Sequence, residues 1–392
     1  MNTHVASSVE GLPFSFSRLD ALMDEAGLDV LIATSKHNVG YLLGGYKFIF
    51  FSTMDAIGHS RYLPVFVYVR ENVEKTLYVG NKMEGQENEV HPFWVPNFQP
   101  VAWGSVDSME AALDHLKKAG VSSVRIGIEP SFMPVNSYNA LAGVFGDANI
   151  VDATGVFERL RAIKTEEELA LLKQASERIT EAMQATIRGS NAGDTKQEII
   201  ERLRREETNR GLQFEYCLLT LGSSHNRASS QQAWAQGEVL SIDSGGNLCG
   251  YIGDICRMGV LGEPDAELED LLAEVETVQQ AAFSKVAPGI SGGEMIDYGR
   301  EVLAQQTNSQ CTDFFAHGMG LISHEAPFLM TNHPVAYEGV DADNPLEKGM
   351  VISVETTMLH PRRGFIKLED TVAVADDGFE LFGTEGRGWN RR

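Results

Sequence analysis

The sequence predicts two domains, an α/β domain over residues 1–155 and an α+β domain with duplicated halves over residues 156–392. In the first part, segments with helical periodicity alternate with short β-rich runs, which is the pattern of an α/β domain. In the second part, a pair of helices followed by a β hairpin occurs twice. This recurrence predicts two similar halves packed around a shared interface. A chance recurrence of a common helical hairpin is the alternative.

The first domain is predicted to begin with a helix through RLDALMDEAG. Strands are predicted for the β-rich runs that follow, DVLIAT, PVFVYV, TLYVG and VRIGIE. Between them lies the aromatic segment GGYKFIFFST. This segment either lines a substrate pocket or forms a core strand, and the sequence favours neither.

Helix starts in the second domain are marked by capping boxes, in which Ser or Thr is followed three residues later by Glu. The pairs are Thr165 with Glu168, Thr195 with Glu198, and Ser291 with Glu294. A turn rich in Gly, Asn and Asp separates the first two helices, and Pro288-Gly289 separates the second two. The same helix-turn-helix unit is therefore predicted in each half.

Charge and composition exclude several classes of partner. The formal net charge is −23, whereas nucleic acids and anionic lipids attract basic surfaces. We find no apolar window long enough to span a membrane and no signal peptide in the first residues, and we expect a cytoplasmic protein. The four cysteines form no CxxC pair, so we expect them to be reduced and mostly buried.

The first hairpin of the second domain is VLSIDSGGNLCGYIGDICRMGVL. If its turn centres between Leu248 and Cys249, Asp243 and Asp254 lie opposite each other. Cross-strand neighbours are about 5 Å apart, so both carboxylates would point toward one spot. Two such anions repel each other unless a proton or a cation lies between them.

The second hairpin, MVISVETTMLHPRRGFIKLEDTVAV, repeats this arrangement. Counted from Arg362, Glu355 and Glu369 are equally distant from the turn. The surrounding strands are apolar, so carboxylates buried there need compensation. Four carboxylates from two equivalent halves predict more than one divalent cation in a shared cleft. His317, in AHGMG, is the candidate fifth ligand.

The order Asp, Asp, His in an HGxG context, Glu, and Glu followed by Asp resembles the pita-bread metallopeptidases. That family includes methionine aminopeptidase, prolidase, aminopeptidase P and creatinase. The resemblance covers residues from about 160 to 390 and includes ERLRAIKTEEELALLKQA, DICR and LEKGMVISVE. The preceding domain resembles the amino-terminal domain of the prolidase and creatinase branch. The resemblance implies a pita-bread catalytic domain and a homodimer.

The resemblance also implies roles for the five ligands. Asp243 would bind one metal ion, His317 and Glu355 the other, and Asp254 and Glu369 would bridge them. Oxygen-rich ligands favour Mn²⁺, Fe²⁺ or Co²⁺, although zinc is also compatible. Two such ions would activate a water molecule for hydrolysis, and Glu355 would transfer its proton.

Three further histidines lie in or near these motifs. His324, in SHEAPF, matches the family histidine that donates a hydrogen bond to the scissile group. His225, in GSSHNRAS, lies close to where prolidases place a substrate-contacting histidine. His360 has no counterpart in the family pattern, and we expect a surface residue.

The sequence departs from the peptidase pattern beside two of the ligands. Thr356 and Thr357 stand where relatives have Pro-Gly, and Lys367 stands where they have arginine. Lysine keeps the charge of arginine but lacks its planar fork. IKLED also resembles dimethylsulfoniopropionate lyases, although those enzymes tend to carry an acidic residue at the position of His324.

Three hypotheses follow. The first is a metal-dependent Xaa-Pro dipeptidase or aminopeptidase, favoured by HEAPF and the complete ligand set. The second is a hydrolase or lyase of a small non-peptide compound, as in creatinase, ectoine hydrolase and the sulfonium lyases. The third is a catalytically silent binding protein.

Overall fold

The computed structural model describes residues 14–53, 56–331 and 337–392. The chain divides into two compact units between Leu160 and Arg161. The boundary that we predicted near residue 155 falls inside the helix Thr154–Ala162, close to this division. Within the described ranges, no helix has both the length and the apolar character that a bilayer crossing requires.

The first unit alternates helices and strands, as predicted. Its elements are α1 Phe16–Glu25, β1 Val30–Ala33, α2 Lys36–Leu42, α3 Ile49–Thr53, β2 Val65–Val69, β3 Leu77–Asn81, α4 Glu84–Val90, β4 Asn97–Ala102, α5 Ser105–Lys118, β5 Ile126–Ile128, α6 Val135–Phe145, β6 Ile150–Asp152 and α7 Thr154–Ala162. The strands form one mixed sheet in the order β4-β3-β2-β1-β5-β6. All four predicted strands are present, whereas β4 and β6 were not predicted.

The core of the first unit lies around this sheet. Val30 and Ile32 of β1 and Val67 of β2 are fully buried, as expected for continuous apolar strands covered on both faces. The segment GGYKFIFFST contains the short helix α3 and no strand. Phe48 and Phe50 of this segment pack against the core, so its aromatic residues contribute to packing.

The second unit is built from two similar halves. Its elements are α8 Glu166–Gly189, α9 Lys196–Asn209, β7 Gln213–Leu221, β8 Val239–Leu248, β9 Tyr251–Val260, α10 Ala266–Phe283, α11 Gly292–Ala304, β10 Thr312–Met319, β11 Ser323–Glu325, β12 Val351–His360, β13 Gly364–Ala375, β14 Gly378–Phe382 and β15 Asn390–Arg391. Each half consists of two helices followed by strands that include one long hairpin. The predicted duplication is therefore confirmed.

One sheet joins the two halves. Its strand order is β11-β10-β12-β13-β9-β8-β7, with β14 on β13 and β15 on β9. The inner strands β9 and β13 pair antiparallel at the junction, where Glu369 lies opposite Cys256. The hairpins β8–β9 and β12–β13 thus lie side by side at the centre of the sheet.

Each half has its own hydrophobic core between its helices and its strands. In the first half, Ile179 and Leu203 pack with Ile242. In the second half, Val278 and Met295 belong to a separate cluster with strand residues of β10, β12 and β13. Burial of the helix faces against the sheet fixes the hairpins from which the polar residues project.

The three predicted capping boxes are present at the starts of α8, α9 and α11. At α8, Glu168 N donates to Thr165 Oγ1 at 3.3 Å, and Thr165 N donates to the Glu168 carboxylate at 2.8 Å. All four cysteines are free. Only Cys256 is buried and the other three are partly exposed, so the prediction that most are buried is wrong.

Candidate metal centre

The second hairpin has the predicted register. Glu355 on β12 and Glu369 on β13 are direct cross-strand partners. Glu369 is fully enclosed, with 2% of its side chain exposed, whereas Glu355 has 12% exposed. The two carboxylates therefore project from the same face of the sheet, with Glu355 nearer to solvent.

The first hairpin differs from the prediction by one residue at its turn. Cys249 and Gly250 both have positive φ angles, 54° and 105°, as in a type I′ turn. Asp243 consequently lies opposite Cys256, and Asp254 lies opposite Gly245. The prediction that the two aspartates are direct partners is wrong. Because the offset is an even number of residues, both carboxylates still project from one face.

His317 joins the carboxylates from β10. It pairs with Ser353 of β12, and its Nε2 lies 3.6 Å from Glu369 Oε1 and 3.8 Å from Glu355 Oε1. The neighbouring glycines are required for close packing. A Cβ on Gly318 would lie 2.2 Å from the Glu325 carbonyl oxygen, and one on Gly320 would lie 1.9 Å from the Glu325 carboxylate.

Three of the predicted ligands form a group that fits a metal ion. One ligand atom each from Asp254, His317 and Glu369 lies within 4.8 Å of the others, and all three residues are buried. Glu369 Oε2 is buried and lies 2.7 Å from the ammonium group of Lys367. Two carboxylates and an imidazole provide the oxygen and nitrogen donors that a divalent transition metal prefers.

The other side of the cluster holds Lys367. Its Nζ lies 2.6 Å from Asp243 Oδ2 and 2.7 Å from Glu369 Oε2, and it also contacts Glu355 Oε2. Only 4% of the lysine side chain is exposed. Burial alone would lower the pKa of this ammonium group, but the surrounding carboxylates raise it well above its ordinary value. Lys367 is therefore a buried cation among the predicted ligands.

Further polar groups hold the ligands and were not predicted. The Arg227 guanidinium donates to Asp243 Oδ2. The Tyr216 hydroxyl donates to Asp254 Oδ1, and the Ser323 hydroxyl donates to Asp254 Oδ2 at 3.0 Å. Ser353 Oγ likewise donates to Glu369 Oε1 at 2.8 Å. Arg227 follows His225 closely in the motif GSSHNRAS, which was the available signal for it.

Burial raises the pKa of the carboxyl groups, and the neighbouring charges add to this effect at Asp254 and oppose it at Glu369. Burial raises the pKa of Asp254 well above its usual range, and the negative charges of Glu369 and Asp243 raise it further. Burial would also raise the pKa of Glu369, but Lys367 and His317 together hold it below its usual value. The site thus contains one carboxylate that is firmly ionised beside others that resist ionisation.

The same two effects act on the pKa of the His317 imidazole, with burial lowering it and the carboxylates raising it. Burial alone would lower its pKa, but the hydrogen bond with Glu369 and the charges of Glu355 and Asp254 raise it to about 8. These interactions hold the ring against the carboxylates that we predicted as its fellow ligands.

His324 lies beside the ligand group. Its ring stacks on that of His317 with a centroid distance of 3.8 Å and an interplanar angle of 15°. Its φ angle is 66°, a left-handed conformation that is uncommon for residues other than glycine. A strained backbone next to candidate ligands is typical of functional sites.

The other two histidines lie at the turn end of the second hairpin. His225 is exposed, and its Nε2 lies 3.3 Å from the carbonyl oxygen of His360. His360 is only 7% exposed, and its Nδ1 accepts a hydrogen bond from Arg363 N at 3.0 Å. The prediction that His360 is a surface residue is wrong, because its ring closes the turn.

Comparison with known proteins places this chain in a family. The model of metallopeptidase family M24 matches residues 170–376, and the creatinase/prolidase N-terminal domain matches residues 16–163. The uncharacterized peptidase YqhT of Bacillus subtilis is 23% identical over 370 residues, covering 92% of this chain and 95% of the relative. The Xaa-Pro dipeptidase of Lactobacillus delbrueckii subsp. lactis is 24% identical over 289 residues, covering 71% and 75% respectively.

A solved structure has the same fold along almost the whole chain. The Xaa-Pro dipeptidase from Bacillus anthracis superposes with a TM-score of 0.79 at 21% identity, covering 96% of this chain and 99% of that one. The pita-bread fold expected from the resemblance is thereby confirmed. The chain belongs to metallopeptidase family M24, a family of metal-dependent hydrolases, and carries the creatinase/prolidase N-terminal domain.

Proposed function

We propose that this metal-dependent peptidase is an Xaa-Pro dipeptidase or aminopeptidase that cleaves the bond before proline. The observation that supports it most directly is the buried group of Asp254, His317 and Glu369, with Glu355 and His324 beside it. Relatives that carry the name Xaa-Pro dipeptidase support the choice of substrate.

The residues present fit a divalent metal ion at Asp254, His317 and Glu369. We propose that this ion is Mn²⁺, because the ligands are rich in carboxylate oxygen. When bound, such an ion supplies Lewis-acid polarisation and a nucleophile at neutral pH. The resemblance implies a second ion with Asp243 among its ligands. In this structure, the ammonium group of Lys367 lies 2.6 Å from Asp243 Oδ2.

The side chains around this group suit the proton transfers of amide hydrolysis. Burial raises the pKa of Glu355, so its carboxyl group can hold a proton closer to neutral pH than an exposed glutamate. Its partial exposure allows substrate to reach it. We propose that Glu355 carries the proton to the leaving nitrogen and that His324 donates a hydrogen bond to the scissile group.

Two further expectations belong to this proposal. His225 would contact the substrate, since its side chain is exposed at the turn end of the second hairpin. We further propose a cytoplasmic homodimer that acts on small substrates. The net charge of −23 supports a substrate other than a polyanion.

The test is a substrate panel with the full chain loaded with Mn²⁺. Xaa-Pro dipeptides and longer Xaa-Pro peptides are compared with matched peptides that carry alanine in place of proline. We expect turnover of proline peptides, a marked preference over the alanine peptides, and loss of turnover in His317→Ala. A metal-loaded protein that cleaves no proline peptide would refute the proposal.

One observation favours a second candidate. Lys367 lies among the ligands, in the segment IKLED that departs from the peptidase pattern. The alternative is a hydrolase or lyase of a small non-peptide compound. Creatine and dimethylsulfoniopropionate therefore belong in the same panel, and turnover of either without proline peptides would favour this alternative.

A further inference from the structure

We infer that this centre binds a single divalent cation, and that the ammonium group of Lys367 takes the place of a second one. The inference rests on the metal-dependent function proposed above and defines the composition of the same site. It departs from the two-ion centre that the family resemblance implies.

The contacts of Lys367 are those that a metal ion in this position would make. Its Nζ touches carboxylates from three strands, Asp243 on β8, Glu355 on β12 and Glu369 on β13. The distances are 2.6 Å to Asp243 and 2.7 Å to Glu369. A single buried cation thus links the two halves of the unit through Asp243 and Glu369, two of the three ligands that the resemblance gives to a second metal ion.

The chemistry of lysine suits this position better than that of arginine. The ammonium group is a compact point charge that can sit among several carboxylates, as a metal ion does. A guanidinium group is a flat fork that pairs with one carboxylate side by side. Lys367 stands where the peptidase pattern has arginine, so this substitution places a different kind of cation beside Glu369.

The charges of the buried cluster balance with one divalent ion. Metal binding displaces protons from the ligands, so the four carboxylates of the metal-bound centre carry four negative charges. Lys367 and Arg227 supply two positive charges in direct contact with three of these carboxylates. One divalent ion supplies the remaining two. A second would leave excess positive charge in a site where burial makes uncompensated charge costly.

The remaining ligands are grouped apart from Asp243. Asp254, His317 and Glu369 offer ligand atoms within 4.8 Å of one another, and this group does not include Asp243. Asp243 is instead held by two cationic side chains, Lys367 and Arg227. The geometry therefore provides one place for a metal ion and one place already filled by an ammonium group.

The experiment measures metal content and is independent of catalysis. The full chain is stripped with a chelator, reloaded with Mn²⁺, freed of excess ion and analysed by mass spectrometry for manganese per chain. We expect one ion per chain and an electron paramagnetic resonance spectrum without coupling between neighbouring Mn²⁺ ions. Two ions per chain, or none, would overturn the inference. If the protein cleaves no proline peptide, the proposed substrate is refuted, but the measured number of metal ions per chain is unaffected.

Variants test the role of the lysine itself. We expect Lys367→Ala to double the content to two ions per chain and to produce magnetic coupling between them. Lys348→Ala is the matched control, since Lys348 is 61% exposed and pairs with Asp376 at the surface, and it should retain one ion. Lys367→Gln replaces the alanine variant if that protein is insoluble. A folded Lys367 variant that still binds one ion would contradict the assignment of the ammonium group.

Discussion

Glu355 and Glu369 face each other directly across the second hairpin, yet their surroundings shift their pKa values in opposite directions. Burial raises the pKa of Glu355. Lys367 and His317 outweigh the same effect at Glu369 and lower its pKa. One member of the pair is therefore suited to remain an ionised ligand, and the other is suited to exchange a proton.

The first prediction separates these two roles. Glu355→Gln should lower kcat by about 100-fold or more, the range of a lost general acid or base, while the protein keeps its metal. Glu369→Gln should lose the metal. Metal analysis and steady-state kinetics on both variants check this, and Glu355→Gln with the turnover of the unmodified protein would exclude the proton-transfer role.

The second prediction concerns the imidazole ligand. His317→Ala should reduce the metal content from one ion per chain to none, because it removes the only nitrogen donor of the ligand group. His225→Ala is the control, since that side chain is exposed and its Nε2 lies 3.3 Å from the backbone carbonyl oxygen of His360. Full metal content in a folded His317→Ala protein would show that the ion is bound elsewhere.

The third prediction concerns stability at Glu325. Its carboxylate is 1% exposed and lies 2.9 Å from Lys164 Nζ and 3.3 Å from Arg161 Nε. Glu325→Gln removes the carboxylate charge that both buried cations contact, so the free energy of unfolding should fall by about 3–5 kcal/mol.

Asp376→Asn provides the matched control for Glu325→Gln. Its ion pair with Lys348 is exposed and should contribute less than about 1 kcal/mol. Urea denaturation of the two variants measures both values. Equal losses would mean that the buried cations find other compensation.

The fourth prediction is a pH dependence that arises from Glu207. Burial raises its pKa to about 8, and Ser244 Oγ, at 3.2 Å from Oε1, offsets this only in part. Between the ordinary pKa of 4.5 and about 8, the unfolded chain has lost this proton while the folded protein retains it. Stability from this group therefore falls as pH rises, by about 1.4 kcal/mol per pH unit.

Glu207→Gln removes the titrating group and isolates this effect. From pH 5 to pH 8, the unmodified protein should lose unfolding free energy relative to the variant, which lacks the titrating carboxyl group. Denaturant titrations at both pH values measure it. Parallel pH profiles would show that Glu207 has an ordinary pKa in the folded protein.

The regular parts of the fold were predictable from local patterns. The capping pairs marked three helix starts. Glu355 and Glu369 are equally distant from Arg362 in the sequence, and this symmetry correctly predicted that they are cross-strand partners. The first hairpin was harder, because its turn is Cys249-Gly250 and not a common Asn-Gly pair. Asn247 stabilises this turn by accepting a hydrogen bond from Gly250 N at 2.8 Å, a contact that the sequence pattern does not reveal.

Contacts between distant strands were not predictable in the same way. Lys367 and Glu369 share a face of β13 because side chains alternate along a strand. That the ammonium reaches Asp243 depends on β13 and β8 lying near each other in a sheet assembled from both halves. Tyr216 reaches Asp254 across an irregularity in the pairing of β7 with β8, which shifts the register by a residue.

Because Lys367 lies among the ligands, part of the positive charge of the centre does not depend on the supply of metal ions. A positive charge attached to the backbone is made with the chain, at one equivalent, whatever the supply of metal. No chelator can extract it and no competing ion can displace it. When metal is scarce, only the metal site at Asp254, His317 and Glu369 can therefore lose its ion. Asp243 and Glu369, from the two halves, keep their contact with the ammonium group.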